Sequence, residues 1–98
     1  MITYNDILVN SRDHKSAGGK ITVLKNDKFI LSIVGGTSGL YGDFVDDFEL
    51  AVIDTKTKEF ITKIVFSESS DDVMAYVPKE RMVEIVNILF KEHCFQVR

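Results

Sequence analysis

Residues 35 to 47 constrain the fold most, because they hold four of the six glycines between two apolar runs. The runs, residues 29 to 34 and 48 to 53, are each apolar at five of six positions. Short runs rich in β-branched and aromatic residues and bounded by glycines are typical of buried strands. The glycines also exclude a membrane-spanning helix over this stretch. We therefore expect a sheet here, with a wide connection between two of its strands.

The chain has 98 residues and is expected to form one α+β domain over residues 1 to 98, since a chain of this size has material for a single core. Its 45% hydrophobic and 28% charged residues are typical of a globular protein. The one cysteine, Cys94, cannot form an internal disulfide, and the N-terminus does not resemble a signal peptide. Both observations favour a cytoplasmic protein.

Helices are predicted at both ends of the chain. Thr3 followed by Asp6 has the spacing of a capping box, which predicts a short helix over residues 3 to 10. Pro78 suits the first turn of a second helix, expected from residue 79 to about residue 93. Apolar residues recur there at spacings of three and four and mark one broad face: Met82, Val83, Ile85, Val86, Leu89 and Phe90.

Five strands are predicted between these helices: residues 21 to 24, 29 to 34, 48 to 53, 59 to 66 and 73 to 77. Asn26 and Asp27 predict a tight hairpin turn with positive φ, and residues 54 to 58 predict the turn of a second hairpin. Residues 12 to 19 are expected to be a polar linker and residues 67 to 72 an acidic turn. The sequence thus predicts an α+β fold: an antiparallel four- to five-stranded meander sheet with a C-terminal amphipathic helix packed on one face and a short N-terminal helix.

The strand over residues 29 to 34 and the strand over residues 48 to 53 lack strict alternation of apolar and polar residues. A sheet covered on one face only should show that alternation. We therefore expect something to cover part of the second face: the N-terminal helix, the glycine-rich segment folded back, or a partner subunit. The last alternative makes a homo-oligomer or another protein complex an open prediction.

Negative charge is concentrated in residues 43 to 72, where nine acidic residues and three lysines give a net charge of −6. Nucleic acid would be repelled from this segment, and the sequence has no compact basic stripe with interleaved aromatic residues. Direct nucleic-acid binding is therefore disfavoured, and no membrane association is expected. Mimicry of nucleic acid by the acidic segment is a third, weaker alternative.

No catalytic or metal signature is evident in the sequence. His14, His93 and Cys94 are too few for a closed zinc site, and adjacent residues such as 93 and 94 point in different directions. The acids near residue 43 depart from the spacing of a calcium loop and are interpreted as solvated charge. We expect a non-enzymatic protein with no cofactor and no metal site.

The best candidate for a binding surface is the segment from residue 37 to residue 47, which combines glycines, aromatic rings and acids. It is predicted to bind a protein partner, with aromatic anchors and steering charges supplied by Thr37, Tyr41, Asp43, Phe44, Asp46 and Asp47. The alternative is a small ligand, such as a nucleotide or phosphate, held by the backbone of Gly35, Gly36, Thr37, Ser38 and Gly39. A purely structural loop, which holds Tyr41 and Phe44 inward, is also consistent with the glycines.

The chain also resembles small uncharacterised proteins of tailed bacteriophages. The pattern is an apolar strand ending in Gly-Gly, then Gly-Leu-Tyr-Gly-Asp, then Phe-Glu-Leu-Ala-Val-Ile-Asp, an acidic Asp-Asp-Val turn and a terminal amphipathic helix. It covers most of residues 28 to 92 and depends chiefly on residues 39 to 43 and 48 to 54. The resemblance implies a phage-encoded inhibitor or modulator that binds a host or defence protein stoichiometrically in the host cytoplasm. It assigns no functional residues.

Overall fold

A computed structural model describes residues 1 to 14, 18 to 36, 42 to 91 and 95 of the chain. In chain order its elements are α1 (Tyr4–Val9), β1 (Arg12–Asp13), β2 (Lys20–Lys25), β3 (Phe29–Gly35), β4 (Asp47–Asp54), α2 (Thr62–Val65), β5 (Met74–Pro78) and α3 (Lys79–Leu89). The strands form one sheet in the order β1-β2-β3-β4-β5, with antiparallel neighbours. The predicted α+β meander with its two terminal helices is confirmed. Within the described ranges, no helix has the length and apolar character needed to cross a membrane.

Helix α1 begins with the predicted capping box. The Asp6 carboxylate accepts a hydrogen bond from the Thr3 backbone N–H at 2.9 Å, and the Thr3 hydroxyl accepts one from the Asp6 N–H at 3.2 Å. The helix is attached to β2 because the buried Thr22 hydroxyl donates to the Ile7 carbonyl at 2.9 Å. Ile7 itself is fully buried. Helix α1 therefore lies on the face of the sheet to which Thr22 points.

The predicted hairpin of β2 and β3 is confirmed, but its turn is closed differently from the prediction. Asn26 and Asp27 both keep negative φ, so the expectation of a positive-φ turn is wrong. Instead the Asn26 Oδ1 accepts hydrogen bonds from the N–H groups of Lys28 at 2.9 Å and Phe29 at 2.8 Å. The Asn26 side chain also donates to the Leu89 carbonyl at 2.9 Å, which ties the turn to the end of α3. An Asx turn thus replaces the expected left-handed turn.

Residues 59 to 66 do not form the predicted strand. Phe60 makes a single bridge to Ile53, and the chain then enters the short helix α2. The Val52 N–H, which a longer strand would have to satisfy, donates instead to the buried Thr62 hydroxyl at 2.9 Å. Because a side chain completes the hydrogen bonding at this edge of β4, the following backbone can leave the ladder and turn.

Three boundaries also differ from the predictions. The expected linker over residues 12 to 19 contains the two-residue strand β1. Pro78 is the last residue of β5 and the N-cap of α3 rather than part of its first turn. Helix α3 ends at Leu89 instead of near residue 93, since Phe90 has extended φ and ψ of −130° and 124°. This extended backbone places the Phe90 ring in the core, where it is 1% exposed.

The core lies on one face of the sheet, which we call the core face. It joins alternate residues of β2, β3 and β4, together with Met74 and Val77 of the bulged β5, to buried side chains of α1 and α3. Helix α2 packs against this core through Val65. The expectation that the N-terminal helix covers the second face is therefore wrong, since α1 shares the core face with α3. The buried cluster consists of Ile2, Ile7, Leu24, Leu31, Ile33, Phe44, Phe48, Leu50, Val52, Phe66, Met74, Val77, Met82, Ile85, Val86, Leu89 and Phe90.

Asn87 joins the start of the chain to α3. Its Oδ1 accepts a hydrogen bond from the Ile2 N–H at 2.8 Å, and its Nδ2 donates to the Ile2 carbonyl, also at 2.8 Å. The same Nδ2 donates to the Val83 carbonyl one turn earlier in α3 at 2.9 Å. Ile2 is 1% exposed, so these two hydrogen bonds hold a buried apolar residue and its backbone together.

We expect Asn87→Ala to lower the free energy of unfolding by about 1 to 3 kcal/mol, because both polar backbone groups of Ile2 would lose their partner. The control is Asn5→Ala, at an exposed position of α1, which is expected to change stability by at most about 0.5 kcal/mol. Urea denaturation followed by circular dichroism measures both variants. Equal midpoints for the two would contradict this role of Asn87.

Candidate functional site

The second face of the sheet, which we call the outer face, carries apolar side chains in its centre. Side chains alternate between faces along a strand, so residues next to core positions point away from the core. The pairing registers arrange the outer face in three rows across the strands. The rows are Arg12, Ile21, Val34 and Glu49; Val23, Ser32 and Ala51; and Lys25, Ile30, Ile53 and Phe60.

The outer-face residues are separate from the core cluster. Val34 and Ala51 are 5% and 8% exposed, yet neither belongs to the cluster of buried residues that contacts the helices. Ile21, Val23, Ile30 and Ile53 are half-buried, and Phe60 at the edge is 49% exposed. All three described helices pack on the core face. None of the described helices covers these apolar side chains, and together they form a surface suited to an apolar contact.

Charges of opposite sign lie on opposite sides of the outer face. Arg12 on β1 and Lys25 on β2 are basic, whereas Glu49 and Asp47 on β4 are acidic. In the first row, Ile21 and Val34 separate Arg12 from Glu49. The surface therefore has an apolar centre and a margin that changes from positive to negative across the strands. This polarity can orient a partner as well as attract it.

The turn before β4 is organised by the Asp43 carboxylate. Its Oδ1 accepts hydrogen bonds from the N–H groups of Val45 at 2.8 Å, Asp46 at 2.8 Å and Asp47 at 3.2 Å. These three backbone donors, with Val45 the strongest, lower the pKa of Asp43 from 3.8 to about 2. The Asp47 carboxylate accepts a hydrogen bond in return from the Asp43 N–H at 2.9 Å. Both acids have a structural function in this turn.

Phe44 is buried, which overturns its expected role as an exposed binding anchor. Its ring is 3% exposed and packs edge-on against Phe48, with ring centroids 5.2 Å apart. The Tyr4 ring also packs edge-on against Phe48, with ring centroids 6.0 Å apart. Phe44 has a φ of 64°, a left-handed conformation that is uncommon for a bulky residue. The aromatic cluster of Tyr4, Phe44 and Phe48 offsets this strain by burying the ring.

Glycines are required where this turn passes β3 and β4. A Cβ on Gly35 would lie 2.8 Å from the Phe44 nitrogen, and one on Gly42 would lie 2.7 Å from the Phe48 Cα. The Gly36 N–H donates to the Gly42 carbonyl at 3.0 Å and is therefore satisfied within the chain. The structural interpretation of these glycines, with Phe44 held inward, is thus confirmed for the described part of the loop. Both Gly35 and Gly36 serve the packing of the turn rather than forming an open cradle.

The remaining predicted site residues lie either on the surface of this turn or outside the described residues. Asp46 is exposed, and its carbonyl accepts the Lys79 N–H at 3.0 Å where α3 begins. Its carboxylate stays a predicted steering charge. Thr37, Ser38, Gly39 and Tyr41 lie outside the described residues. Their predicted roles in binding a protein or a phosphate stay predictions.

Other ionisable groups with shifted pKa values serve local structure. Hydrogen bonds from the N–H groups of Thr57 and Lys56 lower the pKa of Asp54 in the turn after β4. Arg81 lowers the pKa of Glu68 through a paired hydrogen bond, and Glu68 in turn raises the pKa of Arg81. Within the described ranges, no three His, Cys, Asp or Glu side chains are placed to share a metal ion. Every buried side-chain nitrogen or oxygen among the described residues has a hydrogen-bond partner.

A groove of about 470 Å³ lies along the free edge of β5. Glu68, Asp71 and Arg81 contribute its charged groups, and Arg81 is already engaged by Glu68 and Glu84. The edge itself is irregular, because the register shifts between Phe48 and Leu50 and Tyr76 has a φ of 53°. A bulged strand of five residues that ends in proline is a poor template for pairing with another chain.

The sequence predicts some of the residues of the outer face but not all of them. The missing alternation in residues 29 to 34 and 48 to 53 correctly indicated an apolar second face. Arg12, Ile21 and Val23 were not identified, because the register of β1 and β2 depends on long-range pairing. Phe60 was assigned to a strand that does not form, although its single bridge to Ile53 still places it at the edge of this face.

Replacing Phe44 with alanine is expected to destabilise the fold by about 3 to 5 kcal/mol, since a buried aromatic ring would leave a cavity beside Phe48. The control in the same turn is Val45→Ala, at a residue that is 56% exposed, with an expected change of at most about 0.5 kcal/mol. Thermal unfolding by calorimetry measures the difference. If Phe44→Ala melted at the temperature of the control, the burial of this ring would not support the fold.

Asp43→Ala should destabilise the protein in a pH-dependent way. The folded pKa of about 2 lies below the ordinary value of 3.8, so the carboxylate stabilises the fold fully above about pH 4 and loses its effect as pH falls to 2. We expect the difference in urea midpoint between the wild type and Asp43→Ala to shrink over that interval. Asp46→Ala is the control, because the Asp46 side chain accepts none of the three hydrogen bonds to Asp43. A difference that stayed constant from pH 7 to pH 2 would contradict the role of the Asp43 carboxylate.

Comparisons of the chain with family models, curated proteins and solved structures found no match. The resemblance to tailed-phage proteins, which depends on residues 39 to 43 and 48 to 54, therefore stays a prediction from the sequence. Any function must be argued from the chain's own residues. Among these, the outer face of the sheet is the surface whose composition is least explained by the fold itself.

Proposed function

We propose that this protein is a non-enzymatic protein-binding protein whose binding surface is the outer face of the sheet. One observation carries the proposal: the centre of this face is apolar, while α1, α2 and α3 all pack on the core face. A face exposed to water alone would need polar residues at these positions, as strands covered on one side show. Cytoplasmic action belongs to the proposal and is supported by the single cysteine.

Binding is favoured over catalysis because structural hydrogen bonds account for the acidic side chains whose pKa values are shifted. The shifted pKa values of Asp43, Asp54 and Glu68 are accounted for by turn hydrogen bonds and one ion pair. Catalytic groups are usually recognised by pKa shifts in a cleft with a nucleophile or a base nearby. Asp43 and Asp54 instead accept backbone hydrogen bonds in turns, and Glu68 pairs with Arg81. An apolar face with a charged margin is, in contrast, the usual anatomy of a protein interface.

The predicted phosphate-binding alternative has less support than protein binding. A phosphate loop presents free backbone N–H groups to the ligand. Gly36 donates its N–H to Gly42, and the space beside Gly35 is occupied by the backbone of Phe44. The backbone of Gly35 and Gly36 is thus already engaged in the turn and is not open to a phosphate.

Site-specific photo-crosslinking in living cells tests the proposal. Val23, in the central row of the outer face, is replaced by p-benzoylphenylalanine, and adducts are separated on denaturing gels and identified by mass spectrometry. The matched control places the same photoreactive residue at Ile88, an apolar residue of α3 that is 58% exposed away from the sheet. We expect protein adducts at Val23 in several-fold excess over the control.

A charge introduced next to the crosslinker makes the test specific. Ser32 neighbours Val23 in the same row and points away from the core, so Ser32→Arg should leave the fold intact. It should also remove the Val23 adducts, because an arginine in the centre of an apolar contact loses hydration without a partner. An adduct yield at Val23 no higher than at Ile88 would overturn the proposed binding surface.

A further inference from the structure

We infer that the outer face binds an acidic segment of its protein partner, with one carboxylate held between Lys25 and Lys56 and an apolar neighbour on the third row. This inference depends on the proposed function, because it names the chemistry of the partner of the same surface. It is derived from a depression of about 750 Å³ between the two turns that border the third row. The depression is lined by Lys25, Asn26, Asp27, Thr55 and Lys56.

Hydrogen bonds hold the two turns together and fix the floor of the depression. The Thr55 N–H donates to the Lys28 carbonyl at 3.1 Å, and the Thr55 hydroxyl donates to the Asn26 carbonyl at 2.9 Å. The Asn26 side chain is tied in turn to the Leu89 carbonyl at the end of α3. The backbone on both sides of the depression is therefore ordered before a partner binds, which lowers the entropic cost of binding.

The side-chain amines of Lys25 and Lys56 can both reach a partner. Both residues are exposed, and within the described ranges neither amine makes a hydrogen bond or an ion pair. The nearby Asp54 carboxylate instead accepts hydrogen bonds from the backbone N–H groups of Lys56 and Thr57, which hold it in its own turn. An ammonium group has three donors and no acceptor, so a carboxylate placed between the two amines would accept two charge-assisted hydrogen bonds.

Asp27 limits the kind of anion that the depression can bind. Its exposed carboxylate lines the same depression, so the two lysines and this acid leave a net charge of +1 there. A single carboxylate matches that charge. A row of phosphates would bring further negative charge against Asp27, and against Asp54 in the adjoining turn. An acidic protein segment is therefore favoured over nucleic acid and over an anionic membrane surface.

The third row supplies an accessible apolar contact beside the two lysines. It crosses the strands from Lys25 through Ile30 and Ile53 to Phe60. Ile30 and Ile53 are half-buried and Phe60 is 49% exposed, whereas Val34 in the first row is already buried within the chain. A positive charge at one end of an apolar row fits a partner segment in which an acidic residue lies next to aliphatic or aromatic residues.

Selection of peptides by the purified protein tests this inference with a defined probe. A displayed library of random peptides, without bias in charge, is selected against the protein immobilised through a terminal tag. We expect the enriched peptides to carry an excess of Asp and Glu over the unselected library, next to apolar residues. Fluorescence polarisation then measures the affinity of the most enriched peptide. A version of that peptide with Asn and Gln in place of its acids should bind at least about tenfold more weakly, equivalent to about 1.4 kcal/mol.

Charge reversal tests the two lysines themselves. Lys25→Glu and Lys56→Glu should each weaken peptide binding at least about tenfold, because each places a carboxylate against the bound one. The matched control Lys20→Glu makes the same change at an exposed position at the other end of β2 and should leave the affinity unchanged. A carbodiimide joins an amine directly to a carboxylate that contacts it. Mass spectrometry should therefore find the peptide coupled to Lys25 or Lys56 and not to Lys20.

The outcomes separate the inference from the proposed function. No enriched peptides, enriched peptides without excess acid, or an affinity unchanged in both lysine variants overturn the carboxylate site, and Val23 adducts would then still support the outer face as a binding surface. Absence of adducts at Val23 and of enriched peptides overturns both. A single-stranded oligonucleotide or phosphatidylglycerol vesicles that bind through the same lysines more tightly than the peptide overturn the choice of a protein partner. If either charge reversal lowers the melting temperature, Lys25→Met and Lys56→Met replace it and should each still weaken binding.

Discussion

The backbone turn over residues 43 to 47 is the constraint on which the rest of the structure depends. One carboxylate, that of Asp43, gathers three consecutive N–H groups and so fixes the direction in which β4 begins. The turn places the Phe44 ring against Phe48, and the Asp46 carbonyl accepts the first N–H of α3. The turn that Asp43 organises therefore connects the sheet, the aromatic cluster and the C-terminal helix. The carboxylates of Asp43 and Asp47, which the sequence predicts as part of a binding surface, thus support the fold through hydrogen bonds within this turn.

The helices cover only the core face of the sheet because both terminal helices are attached to that face. Helix α1 is held to β2 by the Thr22 hydroxyl, and Ile2, just before α1, is held to α3 by Asn87, so both terminal helices lie on the same face. Their side chains fill a single core, and the outer face keeps apolar residues that this core does not use. A small protein gains stability from burying such a face against something else, because its own core is limited in size. The proposed interface is thus a consequence of how the meander is covered.

Local sequence signals predicted the elements whose cause is local. The capping box of Thr3 and Asp6, the apolar periodicity of α3 and the hairpin around Asn26 all depend on residues within a few positions of one another. The strand predicted over residues 59 to 66 is wrong. Its β-branched residues are equally compatible with a single bridge at Phe60 followed by the short helix α2. There a hydrogen bond from Val52 to Thr62, ten residues apart, decided the outcome. Local propensity gives way where a tertiary hydrogen bond satisfies the backbone first.

The sequence by itself determined the fold class, the meander order of the main strands and the presence of an apolar second face. These follow from composition and periodicity, which act along the chain. Only the tertiary structure decided that Phe44 is buried, that Gly35 and Gly42 are needed for close backbone approach, and that Arg12 and Glu49 end the same row. Each of these depends on the register between strands far apart in sequence, and a register is fixed by packing across the sheet rather than by any one strand.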